Sequence, residues 1–111
     1  MIRATTPKHV FTFEQNPSNF SKILITYAQS DSIVLEKTKS DLTIEPVTNP
    51  SGKTVAYAAW FRMTQEEANR FVSGPGKQVS VQVRAKTPSG EVLASEKKTI
   101  SVQDVLNDEV L

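Results

Sequence analysis

Two turns of the same composition constrain the fold of this chain more than any other feature. Pro-Ser-Gly occurs at 50–52 after Asn49, and again at 88–90 after Thr87. In a type I turn Asn suits the first position, Pro the second, and Gly the left-handed position near its end. Strand-like segments flank both turns, so each turn is predicted to close a β-hairpin.

The predicted register of each hairpin follows from its turn. The first hairpin is expected to pair Pro46 with Val55, Ile44 with Tyr57 and Leu42 with Ala59. The second is expected to pair Lys86 with Glu91, Ala85 with Val92 and Val83 with Ala94. A phosphate-binding loop is the competing interpretation of the second turn, but that loop needs a second glycine and a following helix. The hairpin is therefore favoured.

The remaining patterns predict further short strands. Alternating or β-branched residues mark strands around 10–13, 22–29 and 33–39, and a polar turn at Ser30–Ser32 joins the last two as a hairpin. We count about seven strands, separated by turns rather than by long helices. These features predict an all-β fold, an antiparallel sandwich of immunoglobulin-like size.

Two helical signals interrupt this pattern. Thr64 and Glu67 form a capping-box spacing, which predicts one short helix of about two turns near 64–72. The apolar residues of the last segment recur at helical spacing, so a short C-terminal helix is expected there. The predicted organisation is a β-sandwich domain over 1–102 and a C-terminal tail over 103–111. That tail is expected to dock over the Trp60 face or to bind a partner.

Composition excludes several function classes. The 13 basic and 12 acidic residues are mixed along the chain and leave a net charge of +1, so nucleic acid is not an expected partner. No cysteine is present, which removes disulfides and thiol chemistry. No segment is apolar enough to predict a membrane span or a signal peptide, so no membrane partner is expected.

No set of residues predicts catalysis. His9 is the single histidine and is expected on the surface of the first strand, so it cannot build a multi-histidine metal site. The Glu66-Glu67 pair is explained by its place at the start of the helix. We therefore expect no enzymatic activity, no cofactor, no metal and no small-molecule substrate.

The segment "AYAAWFRM" contains the candidate functional residues. Apolar side chains point to both sides of this predicted strand, so both sides must be covered. One interpretation is that the short helix or the tail packs on the far side. Another is a protein interface, since Trp and Arg dominate many interfaces; stacking of Trp60 on a carbohydrate is a third. The candidate interface residues are Tyr57, Trp60, Phe61 and Arg62.

The last predicted strand has a phase conflict. Glu96 and Lys98 share a face with apolar residues such as Val92 and Ile100, which a dry core would not tolerate. Either a β-bulge changes the register or the strand lies at an exposed edge.

Several segments resemble a known family. "TYAQSDSIVLEK" (26–37), "MTQEEANRF" (63–71), "VQVRAKTPSGEVLAS" (81–95) and "DVLNDEVL" (104–111) resemble small proteins of phages and prophages of Gram-positive bacteria. Those proteins are encoded among tail and baseplate genes and are similar to the N-terminal domain of upper baseplate proteins. The stretch between Leu42 and Thr64 is longer here than in that family, so Trp60 lies in an extension.

The resemblance implies a structural or assembly role without catalytic residues. The implied partners are other tail or baseplate proteins or further copies of this chain, and the implied location is the host cytoplasm during assembly and the virion afterwards. Two other classes stay open: a phage-encoded inhibitor that binds a host protein, and a carbohydrate-binding module.

Overall fold

A computed structural model describes all 111 residues and contains two antiparallel sheets. The strands are β1 Lys8–Phe13, β2 Lys22–Gln29, β3 Ser32–Thr38, β4 Thr43–Thr48, β5 Thr54–Arg62, β6 Val79–Lys86, β7 Val92–Ala94 and β8 Lys98–Ile100. One sheet has the order β1-β5-β4, and the other has the order β3-β2-β6-β7, with β8 also paired to β6. The predicted all-β sandwich is confirmed.

The core lies between the two sheets. Every second residue of β2, including Ile23, Ile25 and Tyr27, is buried on the inner side. From the opposite sheet Phe61 packs edge-on against Tyr27, with ring centroids 6.1 Å apart. Burial of each such side chain stabilises the fold by about 1.5–3 kcal/mol, so the strict alternation along β2 anchors both sheets.

The predicted helix forms, but it is shorter than expected. Helix α1 spans Gln65–Ala68. Its capping box is present, because the Glu67 N–H donates to Thr64 Oγ1 (3.1 Å) and the Thr64 N–H donates to Glu67 Oε1 (2.9 Å). Two short 3₁₀ turns, Pro17–Asn19 and Lys39–Asp41, complete the helical structure. None of these helices has the length and apolar character that a membrane span requires.

A buried glutamine explains why α1 ends early. The side chain of Gln29 is buried and reaches across to the segment after the helix. Its Nε2 donates to the Val72 carbonyl (2.6 Å) and to the Lys77 carbonyl (2.7 Å), and its Oε1 accepts from the Val72 N–H (2.8 Å). In a second helical turn the Val72 N–H would donate to the Ala68 carbonyl, and its bond to Gln29 replaces that bond.

Both Pro-Ser-Gly turns close hairpins, as predicted, but the predicted registers are wrong. In the first, Pro46 pairs with Tyr57 and Ile44 with Ala59, a shift of two residues. In the second, Lys86 pairs with Val92 and Ala85 with Leu93, a shift of one residue.

The glycines of the turns cause the shifts. Gly52 and Gly90 adopt φ of 86° and 95°, so each turn has a three-residue loop that ends in a G1 bulge and adds one residue to its strand. The first hairpin has a further irregularity at Val47/Thr48, which adds the second residue. A register shift of two residues leaves each side chain of the first hairpin on its predicted side of the sheet. A shift of one residue moves each side chain of the second strand to the opposite side, so Leu93 takes the inner position expected for Val92.

The last strand is divided in two, which raises the strand count to eight. Arg84 pairs with Ala94 and Val81 with Lys98, so Ser95–Lys97 contain one residue more than the facing part of β6. This is the bulge that was indicated by the phase conflict of Glu96 and Lys98 with the apolar residues of the strand. Both residues are also exposed.

The predicted C-terminal helix is absent, and the tail docks elsewhere than over Trp60. Arg3 forms ion pairs with Asp104 (3.0 Å) and Asp108 (3.2 Å), and Gln65 Oε1 accepts from the Leu111 N–H (2.6 Å). The Arg3 guanidinium holds the pKa of Asp104 below its usual value through this hydrogen bond. These contacts hold the tail beside α1, and its residues adopt no helical structure.

Candidate protein-binding face

The outer side of the three-stranded sheet carries the candidate site, and we call it the outer face. Cross-strand partners in a sheet point to the same side. Trp60 on the central strand β5 pairs with Val10 on β1 and with Thr43 on β4. The other members of the outer face are Lys8, Thr12, Glu45, Val47, Ala56, Ala58 and Arg62.

Two cationic residues lie near Trp60 on this face, and one of them contacts its ring. The Lys8 ammonium group lies 4.2 Å from the centroid of the Trp60 ring, a cation–π contact. Arg62 donates from Nη1 to the Thr6 carbonyl (2.9 Å), which fixes its guanidinium beside the start of β1. The indole N–H of Trp60 is buried and has no hydrogen-bond partner. A buried donor without an acceptor costs about 1–3 kcal/mol, so this N–H lowers the stability of the fold.

The outer face is apolar at its centre and still accessible. Val10 is 54% exposed and Val47 is 39% exposed, although both flank the central strand. Ala56 and Ala58 between them are half-buried and add no polar atoms from their side chains. Glu45 supplies the single acidic group of the face. The result is an apolar stripe across three strands with positive charges at the Lys8 and Arg62 end.

Neither of the two elements expected to cover this face does so. Helix α1 buries Ala68 in the core cluster that also contains Phe71, so it closes one end of the sandwich. The tail makes its hydrogen bonds with Arg3, Gln65 and Asn69. The outer face is therefore left partly open to solvent.

The four predicted interface residues are divided between the two sides of β5. Trp60 and Arg62 lie on the outer face, whereas Tyr57 and Phe61 point to the inner side. Phe61 is only 5% exposed and belongs to the core cluster, so its assignment to an interface is wrong. Tyr57 is half-buried opposite Phe13 and Pro46. The strict alternation of strand side chains makes this division unavoidable.

His9 is not the surface residue that was expected. Its Nδ1 is hydrogen-bonded to the Tyr27 hydroxyl, and its ring lies 5.5 Å from the Tyr27 ring and 5.8 Å from the Phe61 ring. Burial, and then the positive N-terminal amino group, lower the pKa of His9. Burial, and then the charge of Glu67, raise the pKa of Tyr27, so the hydroxyl stays protonated.

A cleft that sequence reasoning missed lies beside these residues. The edge of β1 and the β7–β8 edge of the other sheet do not meet, and the gap between them has a volume of about 690 Å³. Inner residues of both sheets line it, among them His9, Phe13, Val83 and Leu93. The one available signal was the register of the second hairpin, because its correct form turns Leu93 toward the inside.

Comparison with known proteins gave no match: no family model, no curated protein and no solved structure matches this chain. The candidate site is therefore interpreted from its own geometry.

Proposed function

We propose that this chain is a non-enzymatic structural or assembly protein of a phage or prophage tail region, which binds another protein through the outer face. The observation that carries the proposal is the uncovered apolar stripe around Trp60, with Lys8 over the indole ring and Arg62 on the same face. Trp and Arg are enriched at the centres of interfaces, where removal of one side chain often costs about 2 kcal/mol or more.

The size of the face limits the kind of contact. Strand β5 has nine residues, which at about 3.3 Å each extend for roughly 30 Å. Three strands about 4.8 Å apart then give a flat area of roughly 400 Å². A stable interface buries about 800 Å² on each partner, so a contact on this face alone is weak. Weak contacts suit an assembly in which many copies bind side by side and avidity compensates.

The sequence resemblance supports the tail or baseplate setting. It covers strands β2, β3, β6 and β7 of one sheet, helix α1 and the tail, and it implies a tail or baseplate context. The proposed partners are tail or baseplate proteins or further copies of this chain. The proposed locations are the host cytoplasm during assembly and the virion afterwards.

Carbohydrate binding is less well supported by the geometry. Lys8 already occupies one side of the Trp60 ring. The nearest cross-strand neighbours, Val10 and Thr43, offer one side-chain hydroxyl between them, whereas a sugar needs several hydrogen bonds.

A matched pair of variants tests the proposal. Val47→Glu places a charge on the outer face, and Val55→Glu places one on β5 outside that face at a site of similar exposure. We expect Val47→Glu to weaken self-association, or capture of purified tail proteins, by at least tenfold, and Val55→Glu to change it by less than twofold. Equal effects of the two variants would contradict the assignment of the face.

The setting is tested separately, by mass spectrometry of purified particles and of lysates collected during assembly. Detection of the chain in particles, or in complexes with tail proteins, is expected. Absence of the chain from particles and from complexes with tail proteins would contradict the tail role, while the outer face would still be a candidate protein-binding surface.

A further inference from the structure

We propose that the cleft between β1 and β7–β8 binds an extended peptide of a partner protein, which adds as a strand to the free edge of β1. The peptide places alternate apolar side chains between the sheets and an acidic side chain near Lys98. This site shares β1 and Lys8 with the outer face, but it does not depend on the function proposed for that face.

The backbone of β1 provides the hydrogen-bonding groups. The Met63 N–H donates to the Pro7 carbonyl (2.8 Å), so Pro7 and Met63 form a hydrogen-bonded pair. Such pairs alternate with non-bonded pairs in an antiparallel ladder. The N–H and C=O groups of Lys8, Val10 and Thr12 therefore point away from β5, toward the open side of the strand.

Every other sheet edge of the molecule is interrupted. On β4, Pro46 stands opposite Tyr57, at a position whose nitrogen faces outward, and proline there removes an edge donor. The pairing of β3 is shifted at Tyr27/Ala28, and a bulge separates β7 from β8. The pairing of β1 is regular over all six of its residues. It is thus the one edge left competent for strand addition.

The cleft has an apolar end and a charged end. At the apolar end, the Phe13 and Phe20 rings lie 6.2 Å apart, and Ala85 pairs with Leu93 on the other side. At the charged end, His9 on β1 is hydrogen-bonded to Tyr27 on the opposite sheet. Cross-strand pairing places Val81 beside Tyr27 and Lys98 beside Val81, so Lys98 lies at this end of the cleft. Alternate side chains of an added strand would enter between these walls.

The charges at the mouth of the cleft determine the partner's chemistry. Lys98 and Glu96 line the cleft, and Lys8 lies on its rim with its ammonium group over Trp60. None of the three takes part in an ion pair, since the ion pairs of the chain involve only Arg3 and Lys37 as cations. The mouth of the cleft carries two ammonium groups and one carboxylate, so its net charge is positive. This charge complements an acidic residue of the peptide.

The partner segment follows from these features. The six residues of β1 extend over about 20 Å, so a segment of about six residues fills the edge. Its inward side chains are aliphatic, matching an apolar cleft, and its acidic residue lies at the end that meets Lys98. We expect the weak affinity typical of short added strands, with a dissociation constant of about 0.1–1 mM.

The test uses six-residue peptides with blocked ends and alternating Val and Thr, carrying Asp at one end, and the same peptides with Lys in place of Asp. Titration into isotope-labelled protein is followed by amide NMR. The Asp peptides are expected to shift the amide signals of Lys8, Val10 and Thr12, to slow their hydrogen exchange, and to bind at least fivefold more tightly than the Lys peptides.

Two neighbouring residues of β7 supply a matched control. Leu93 lines the cleft and is 41% exposed, whereas Val92 points to the other side and is 59% exposed. Leu93→Asp is expected to weaken peptide binding at least tenfold and Val92→Asp less than twofold, with both variants folded by circular dichroism.

Three results would overturn the proposal. The first is equal loss of binding in the Leu93 and Val92 variants. The second is no shift of the β1 amides by any of the peptides at 5 mM. The third is a shift of these amides with protein concentration alone, or with sodium decanoate but not with peptide. That result would assign the cleft to a second copy of the chain or to an acyl chain.

Discussion

The two faces of β5 are both apolar, yet only one of them is covered. On the inner face, Ala59 and Phe61 are buried against the second sheet. On the outer face, Ala58 and Trp60 lie beside Val10 and Val47, which are still in contact with water. The residue types on the two faces are similar, so hydrophobicity alone does not determine which face becomes the core.

The difference lies in the partners that the rest of the chain offers. The second sheet presents a matching row of buried residues along β2, and that row faces Phe61. The outer face meets no such row, since α1 and the tail are committed to the end of the sandwich. An apolar strand face without an internal partner is a feature that interaction surfaces share.

The largest expected effect is at the inner face. Phe61→Ala removes a side chain that contacts Tyr27 and His9 and leaves a cavity. We expect the free energy of unfolding to fall by about 3–5 kcal/mol, as for other buried aromatic residues. Urea denaturation measures this change. A decrease below about 1 kcal/mol would show that the two faces do not differ in energy.

The matching change on the outer face is expected to cost less. Trp60→Ala removes a half-buried ring and its contact with Lys8, and it also removes an unpartnered N–H. We expect the free energy of unfolding to fall by about 1–2 kcal/mol, less than for Phe61→Ala, because one side of the ring is not packed against protein. The same urea experiment compares the two variants directly. A larger decrease than that of Phe61→Ala would reverse the comparison.

Acid is expected to destabilise the inner face through His9. The pKa of His9 is lower in the folded protein than the usual 6.5, so the unfolded chain binds the extra proton first. Stability is then complete above the unfolded pKa and falls as the pH drops below about 6.5 toward the folded pKa. One proton contributes at most about 1.4 kcal/mol per pH unit.

Denaturation curves between pH 7.5 and 5 measure this slope. His9→Asn is the control, since its side chain can accept the Tyr27 hydrogen bond without titrating. If the free energy of unfolding of that variant has the same dependence on pH, protonation of His9 does not cause the loss of stability in acid.

The smallest expected effect is removal of residues 106–111. This deletion eliminates the ion pair between Arg3 and Asp108, two hydrogen bonds between Gln65 and Leu111, and one from Asn69 to Asp108. Such surface interactions contribute little to stability. We expect the free energy of unfolding to change by less than about 1 kcal/mol and the wavelength of Trp60 emission to stay the same. A shift in that emission would mean that the tail covers the outer face in solution.

The sequence predicted the elements of this fold better than their pairing. Turn chemistry located both hairpins, and the capping box located α1 at Thr64. The registers were missed because one extra residue in each G1 bulge depends on the turn geometry, which Pro-Ser-Gly permits but does not enforce. The tail helix was missed because its periodicity is a local signal, whereas Arg3 fixes Asp104 and Asp108 through contacts distant in sequence.

The candidate site was predicted only in part, for the same reason. Trp60 and Arg62 were identified from their residue types. Lys8 and Val10 join them through the pairing of β1 with β5, which no local pattern of either segment encodes. The burial of His9 likewise depends on Tyr27, which lies on the other sheet.

The three hydrogen bonds of Gln29 to the segment after α1 also determine how the molecule opens. That segment has no ladder of its own, and it is held by Gln29 of β2 and by the burial of Phe71 against Tyr27. It can therefore open locally only by withdrawing Phe71 from the core, whereas loss of β2 must release it as well. In native-state hydrogen exchange the Val72 amide should exchange through a low-energy local opening, well before the β2 amides that exchange only on global unfolding.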